Sequence, residues 1–186
     1  MGSRGPAVGQ MSYEKCVNPA HAPPTMADQI ACMTVARPKQ CLLRIGRRSR
    51  PGGLYVVTTV VAHRRRIFAD FALALRVAPL LDSGAHWRDS RSLCWVLMPD
   101  HCHLLVQAGL DGSLASLIAR LKAHTARTCN LARNASGPLW QRGFHDRALR
   151  TEQDIAAVAR YIVRNPIRAG LTSAVGSYPF WNAVWV

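Results

Sequence analysis

No apolar run in this chain is long enough to span a bilayer, and its first residues carry no charged-then-apolar leader, so a cytoplasmic protein with no membrane attachment is expected. Paired cysteines are also missing. Cys16, Cys32, Cys41, Cys94, Cys102 and Cys129 are scattered without a C-x-x-C spacing, which argues against a zinc ribbon or a disulfide framework. Acidic residues are scarce: 10 Asp and Glu stand against 24 Lys and Arg, for a formal net charge of +14 and a pI near 10.8. Such an imbalance favours a polyanionic partner, nucleic acid first and an anionic membrane surface second. Lysine is limited to Lys15, Lys39 and Lys122, so arginine carries the charge, and its planar fork suits phosphate and guanine edges.

What is present suffices for one ordinary domain. Over 186 residues, 49% are hydrophobic and 18% charged, a globular balance that can bury a core without cross-links. Residues 1–41 are different. They hold Gly, Pro and Ala in quantity, several methionines (Met11, Met26, Met33) and no sustained period, so a loose tail is expected there, with the domain over 42–186. An upstream start-codon assignment would account for some or all of that tail; peptides from residues 1–32 in the native protein would overturn this.

After the basic lead-in of residues 44–50 and the turn Pro51-Gly52-Gly53, residues 54–61 are rich in β-branched side chains and predict a strand. His63, Arg64, Arg65 and Arg66 follow directly. Residues 68–81 carry apolar residues on a helical spacing, with Phe71, Leu75 and Ala78 on one apolar face. Residues 92–98 and 101–107, separated by Pro99-Asp100, predict an antiparallel hairpin. Ser113 can cap a helix whose Leu114, Leu117, Ile118 and Leu121 recur at helical spacing. A last helix is expected to begin at Thr151-Glu152-Gln153-Asp154 and to end near Asn165, before Pro166. This order predicts an α+β fold, one antiparallel sheet with helices on one face and a C-terminal helix following.

Two places concentrate chemistry. In Met98-Pro99-Asp100-His101-Cys102-His103-Leu104-Leu105, strand alternation sends His101 and His103 to the same side, roughly 7 Å apart at Cα, and Cys102 to the other. Two imidazoles so placed can share a divalent metal and leave positions open for phosphate or water; a polar pair at a sheet edge is the alternative. On the last helix Tyr161 and Asn165 lie one turn apart on a face offset from the stripe Ile155, Val158, Ile162. Taken alone, Tyr161 reads as a core-edge aromatic and Asn165 as a helix C-cap. As a nucleophile, a phenol with a reference pKa of about 10 needs help, which a metal at the phosphoryl group supplies.

The segments at 98–105, 139–146 (Leu-Trp-Gln-Arg-Gly-Phe-His-Asp) and 161–171 (Tyr-Ile-Val-Arg-Asn-Pro-Ile-Arg-Ala-Gly-Leu), in this order, resemble those of the REP-associated tyrosine transposases, relatives of the single-tyrosine HUH or IS200-like transposases. The resemblance covers about residues 42–184, including Tyr178-Pro179-Phe180-Trp181. Cys102 departs mildly from the bulky hydrophobic usual between the two histidines. The resemblance implies a ferredoxin-like palm, with Mg²⁺ or Mn²⁺ held by His101, His103 and Asn165. It also implies attack of Tyr161 on single-stranded DNA beside palindromic repeat hairpins, giving a 5′-phosphotyrosine and a free 3′-hydroxyl. A monomer is implied rather than a dimer. Two other classes use parts of the same set: a repeat-DNA-binding regulator that does not cleave, and a metal-dependent nuclease that activates water without Tyr161.

Arg47, Arg48, Arg50, Arg64, Arg65 and Arg66 are candidates for holding DNA, with a solvated basic surface as the alternative. Gln141 and Arg142 are candidates for hydrogen-bonding a splayed base. Trp140 and Phe144 either stack on that base or anchor the tyrosine helix in the core. His124 and His145 have no partner at a telling spacing and suit structural or exposed roles. Replacing Arg64, Arg65 and Arg66 together by Gln should weaken hairpin binding and flatten its salt dependence; an unchanged affinity across a salt series would count against the set.

Overall fold

The computed structural model describes residues 49–110, 113–149 and 155–185. The expected tail, Arg47, Arg48 and the expected start of the last helix at 151–154 lie outside them. Within them the order is β1 (Leu54–Val60), α1 (Phe71–Asp82), β2 (Arg91–Leu97), β3 (His101–Gln107), α2 (Leu114–Ala132), β4 (His145–Ala148), α3 (Ile155–Val163), α4 (Asn165–Arg168) and β5 (Trp181–Ala183). The five strands form one sheet in the order β4-β1-β3-β2-β5, every pair antiparallel. Its first four strands have the connectivity of a ferredoxin-like palm.

Local chemistry accounts for the boundaries. The β2–β3 turn is closed by the Met98 amide on the His101 carbonyl at 2.8 Å, with Pro99 and Asp100 between. Asp70 caps α1 by accepting from the amides of Ala72 and Leu73, and Ser113 caps α2 by accepting from that of Ser116, as the sequence predicts. Pro166 does more than end a helix. It sits in the first turn of α4, where a missing N–H costs nothing, so the chain turns a corner and continues helically.

Alternation divides the strands between two cores. Tyr55, Val57, Trp95, Leu97, Cys102, Leu104 and Val106 face α1 and α2. On the opposite face Val56, Cys94, Val96 and Leu105 meet Val158, Ala159, Ile162 and Val163 of α3. The two helices that precede β4 therefore share one face, and the helix carrying Tyr161 covers the other. This places Trp140 differently from the expected anchor of the tyrosine helix. It is buried in the α1–α2 core, against Phe68 at 5.4 Å and with its Nε1 donating to Thr125 Oγ1, and Phe144 packs against the same core.

The inner face of α1 also differs from expectation. Leu73, Ala74, Val77 and Leu81 are buried, whereas Phe71 and Leu75 are 59% and 57% exposed. In Phe-Ala-Leu-Ala-Leu-Arg-Val-Ala-Pro-Leu-Leu-Asp nearly every position is apolar, so periodicity cannot choose a face, and the Asp70 cap and the sheet contacts do. Leu81→Ala should accordingly cost about 2–5 kcal/mol in urea denaturation, and Leu75→Ala within about 0.5 kcal/mol. The reverse order would refute this placement.

Candidate active site

The β1–β3 register builds the histidine pair. Thr58 lies opposite His103 and Val60 opposite His101. Both histidines point to the α3 side, as Leu105 does, while Cys102 is buried on the other. The two rings stand edge to face with centroids 4.8 Å apart.

Each Nδ1 is already engaged. His103 Nδ1 lies 2.8 Å from Thr58 Oγ1, and His101 Nδ1 lies 2.6 Å from Asp100 Oδ1. Partners on Nδ1 fix the ring orientations and leave the two Nε2 atoms to face a ligand, the arrangement that metal-binding histidines use. His103 is buried, and burial, aided by the charges of His101 and Arg168, pushes its pKa from 6.5 down to about 3. It is therefore a neutral donor at physiological pH. The hydrogen bond from His101 holds the Asp100 carboxyl below its ordinary range, and Arg64 adds to this by donating from Nη1 to Asp100 Oδ2 at 3.2 Å.

Tyr161 is half-buried at the border of the α3 core, between the buried Ala159 and Ile162. The guanidinium of Arg168 lies 4.5 Å from its ring centroid, a cation–π contact made across the α3–α4 corner. Because the same Arg168 charge also acts on His103, the tyrosine and the histidine pair share one electrostatic neighbourhood. Asn165 uses its amide nitrogen to close the end of α3, donating to the carbonyls of Tyr161 at 3.2 Å and Ile162 at 2.9 Å. Its other amide atom, an oxygen, is of the type a hard divalent ion takes. Among the described residues no group of three or more His, Cys, Asp or Glu side chains could hold a metal. Two imidazoles and an amide oxygen are nonetheless donor types that a divalent ion takes.

The remaining candidates divide by position. Gln141 and Arg142 are brought to the histidine end of the sheet, because the Gln141 amide donates to the Val60 carbonyl at 2.8 Å. Lys122 of α2 secures that loop by donating to the carbonyls of Gln141 and Gly143. Arg64, Arg65 and Arg66 follow β1 at the same end, Arg64 on Asp100 and Arg65 donating from Nε to the Ala62 carbonyl. Arg50 is exposed at the opposite end of β1, about 20 Å away along seven residues of strand, so it does not join that group. His124 is exposed and stacks on His86 at 4.9 Å, whereas His145 stands opposite Thr58, in the sheet row that contains His103. Thr58, Asp100 and Arg168 were not singled out from sequence. Arg168 had a signal, seven residues after Tyr161 on a helical spacing; Thr58 is recognisable only through strand pairing.

The His103 environment sets a pH dependence. In the unfolded chain this imidazole titrates near 6.5, in the fold near 3. Between those values the unfolded chain takes up a proton that the fold refuses. The contribution is fully present above about 6.5 and is lost as pH falls towards 3. Urea denaturation at neutral pH and at pH about 5 should show a larger loss for the wild type than for His103→Asn; equal losses would contradict a buried neutral imidazole.

Comparison with known proteins places the chain in a family. The family described as Transposase IS200 like matches residues 52–165, which include both histidines, Tyr161 and Asn165. A Haemophilus influenzae protein assigned as a REP-associated tyrosine transposase is 29% identical over 140 residues, covering 69% of this chain and 78% of that protein. The REP-associated tyrosine transposase of Escherichia coli K12 is 28% identical over 88 residues, 46% of this chain and 50% of its own length. A solved structure of a REP-associated tyrosine transposase bound to a REP hairpin has the same fold, with a TM-score of 0.58 over 73% of this chain and 79% of that one at 21% identity. The chain belongs to the IS200-like transposase family.

Proposed function

We propose that this transposase cleaves and rejoins single-stranded DNA beside palindromic repeat hairpins, with Tyr161 as the nucleophile. The observation that carries the reading is that α3, which bears Tyr161, packs on the sheet face to which His101 and His103 point, with the Arg168 guanidinium resting on the Tyr161 ring. A pure binding protein has no need of that convergence. The hairpin-bound relative of the same fold supports a hairpin as the DNA partner.

In this reading the Tyr161 oxygen attacks phosphorus, the bond from phosphorus to the 3′-oxygen breaks, and the leaving oxygen takes up a proton while the phenol gives one up. The 5′ end stays on Tyr161 and the 3′ end leaves as a hydroxyl; rejoining reverses the step. Arg168 orients the ring and sets a positive charge beside the phosphate that the ring attacks. His101, His103 and the Asn165 amide oxygen would hold Mg²⁺ or Mn²⁺, which when bound supplies charge neutralisation and polarisation at the phosphoryl group. Arg65, Arg66, Gln141 and Arg142, gathered at the same sheet end, would take the DNA backbone and a base near the cut, and Arg50 a more distant stretch. The protein would act as a monomer in the cytoplasm.

Labelled single-stranded hairpins from the repeats of the source genome, incubated with wild type and Tyr161→Phe in Mn²⁺ or EDTA, test this on a denaturing gel. The expected result is a metal-dependent protein–DNA adduct that is lost in Tyr161→Phe. Cleavage without an adduct would point to activated water, and binding without cleavage to a repeat-binding regulator.

A further inference from the structure

The arginine run after β1 is not uniform. His63 and Arg64 are consecutive non-glycine residues in the left-handed region, at φ 57° and 52°, a costly conformation that persists only where surroundings enforce it. What enforces it here is the β2–β3 turn. The Val61 amide donates to the Asp100 carbonyl at 2.8 Å and the Phe68 amide to the Pro99 carbonyl at 2.9 Å, so the β1–α1 connection is bonded on both sides of the arginines to the turn that precedes His101. The kink delivers Arg64 Nη1 to Asp100 Oδ2, while Asp100 Oδ1 receives His101 Nδ1. Side-chain exposure falls along this chain from 42% at Arg64 to 20% at Asp100 and 12% at His101.

From this we infer that Arg64 is a positioning residue for the metal ligand His101, acting through Asp100, while its neighbours Arg65 and Arg66 serve the DNA. The inference rests on the proposed metal site. A carboxylate held on one oxygen can rotate about its last bond. Held on both, it has one plane, and so has the imidazole that donates to it. An arginine at Arg64 therefore sets the direction of His101 Nε2 without touching metal or DNA. The left-handed backbone explains why the residue next to this one cannot take its place: all three arginines are exposed, but Arg64 Nη1 reaches Asp100, whereas Arg65 Nε bonds back to the Ala62 carbonyl.

The test separates metal binding from DNA binding in the full chain. Mn²⁺ affinity is read by the loss of the free-ion EPR signal without DNA, and hairpin affinity by gel shift in EDTA. Arg64→Asn suits the left-handed backbone but is too short to reach Asp100, so folding is retained. Arg64→Asn should weaken Mn²⁺ binding on the order of 10-fold and change hairpin affinity less than about twofold, with Arg64→Lys recovering part of the loss. Asp100→Asn should weaken Mn²⁺ binding at least as much, and the double variant no further, because both act on one ligand. Arg65→Gln and Arg66→Gln should do the reverse. An unchanged Mn²⁺ affinity in Arg64→Asn, additive losses in the double variant, or an equal fall in hairpin affinity would overturn the inference. A wild-type chain that binds no Mn²⁺ would overturn the metal site itself and this inference with it.

Discussion

Thr58 and His103 stand opposite one another in the β1–β3 ladder, joined at 2.8 Å, and the site depends on that register. A slip of one residue would turn His101 and His103 into the α1–α2 core and bring Cys102 out towards α3. The register is held by two dissimilar apolar faces, each closed by its own helices, so a slip would bury the wrong set on both sides at once. The site is thus a consequence of core packing. Leu104 and Cys102 on one face and Leu105 on the other keep the imidazoles aligned.

The electrostatics follow from the same placement. A chain of net charge +14 gathers arginines around two imidazoles and a phenol, with Asp100 drawn into the site. Burial keeps His103 neutral, so it can donate a lone pair, and Arg168 links it to Tyr161. A phosphodiester brought to the histidine end of the sheet would meet the positive charge of Arg64, Arg65 and Arg66, which favours a polyanion there before any base is read.

Much of this architecture was legible in the sequence where the signal is local. The β-branched run of β1, the Pro99-Asp100 turn, the Ser113 cap and the alternation that pairs His101 with His103 are contained within a few residues each. What failed depends on tertiary contacts. The inner face of α1 is set by packing because the helix is apolar nearly all round. Strands β4 and β5, His-Asp-Arg-Ala and Trp-Asn-Ala, are too short to show alternation and exist because a neighbouring edge accepts them. Trp140 went to the face opposite the tyrosine helix because the loop that holds it is bonded to the end of β1 and to Thr125, partners distant in sequence. Thr58 and Arg64 gain their roles only through the fold, whereas Asp100 lay beside the histidines and carried no independent signal.

The central claim is that, of the four tyrosines, the one on α3 is delivered to the histidine pair. The most direct measurement is mass spectrometry of tryptic peptides after the wild-type protein has been trapped on a hairpin and the DNA trimmed by nuclease. Trypsin cuts after Arg160 and Arg164, so the account predicts the residual nucleotide on the peptide Tyr-Ile-Val-Arg that begins at Tyr161. A nucleotide on the peptide of Tyr55 or Tyr178, or on none while the strand is cut, would contradict it.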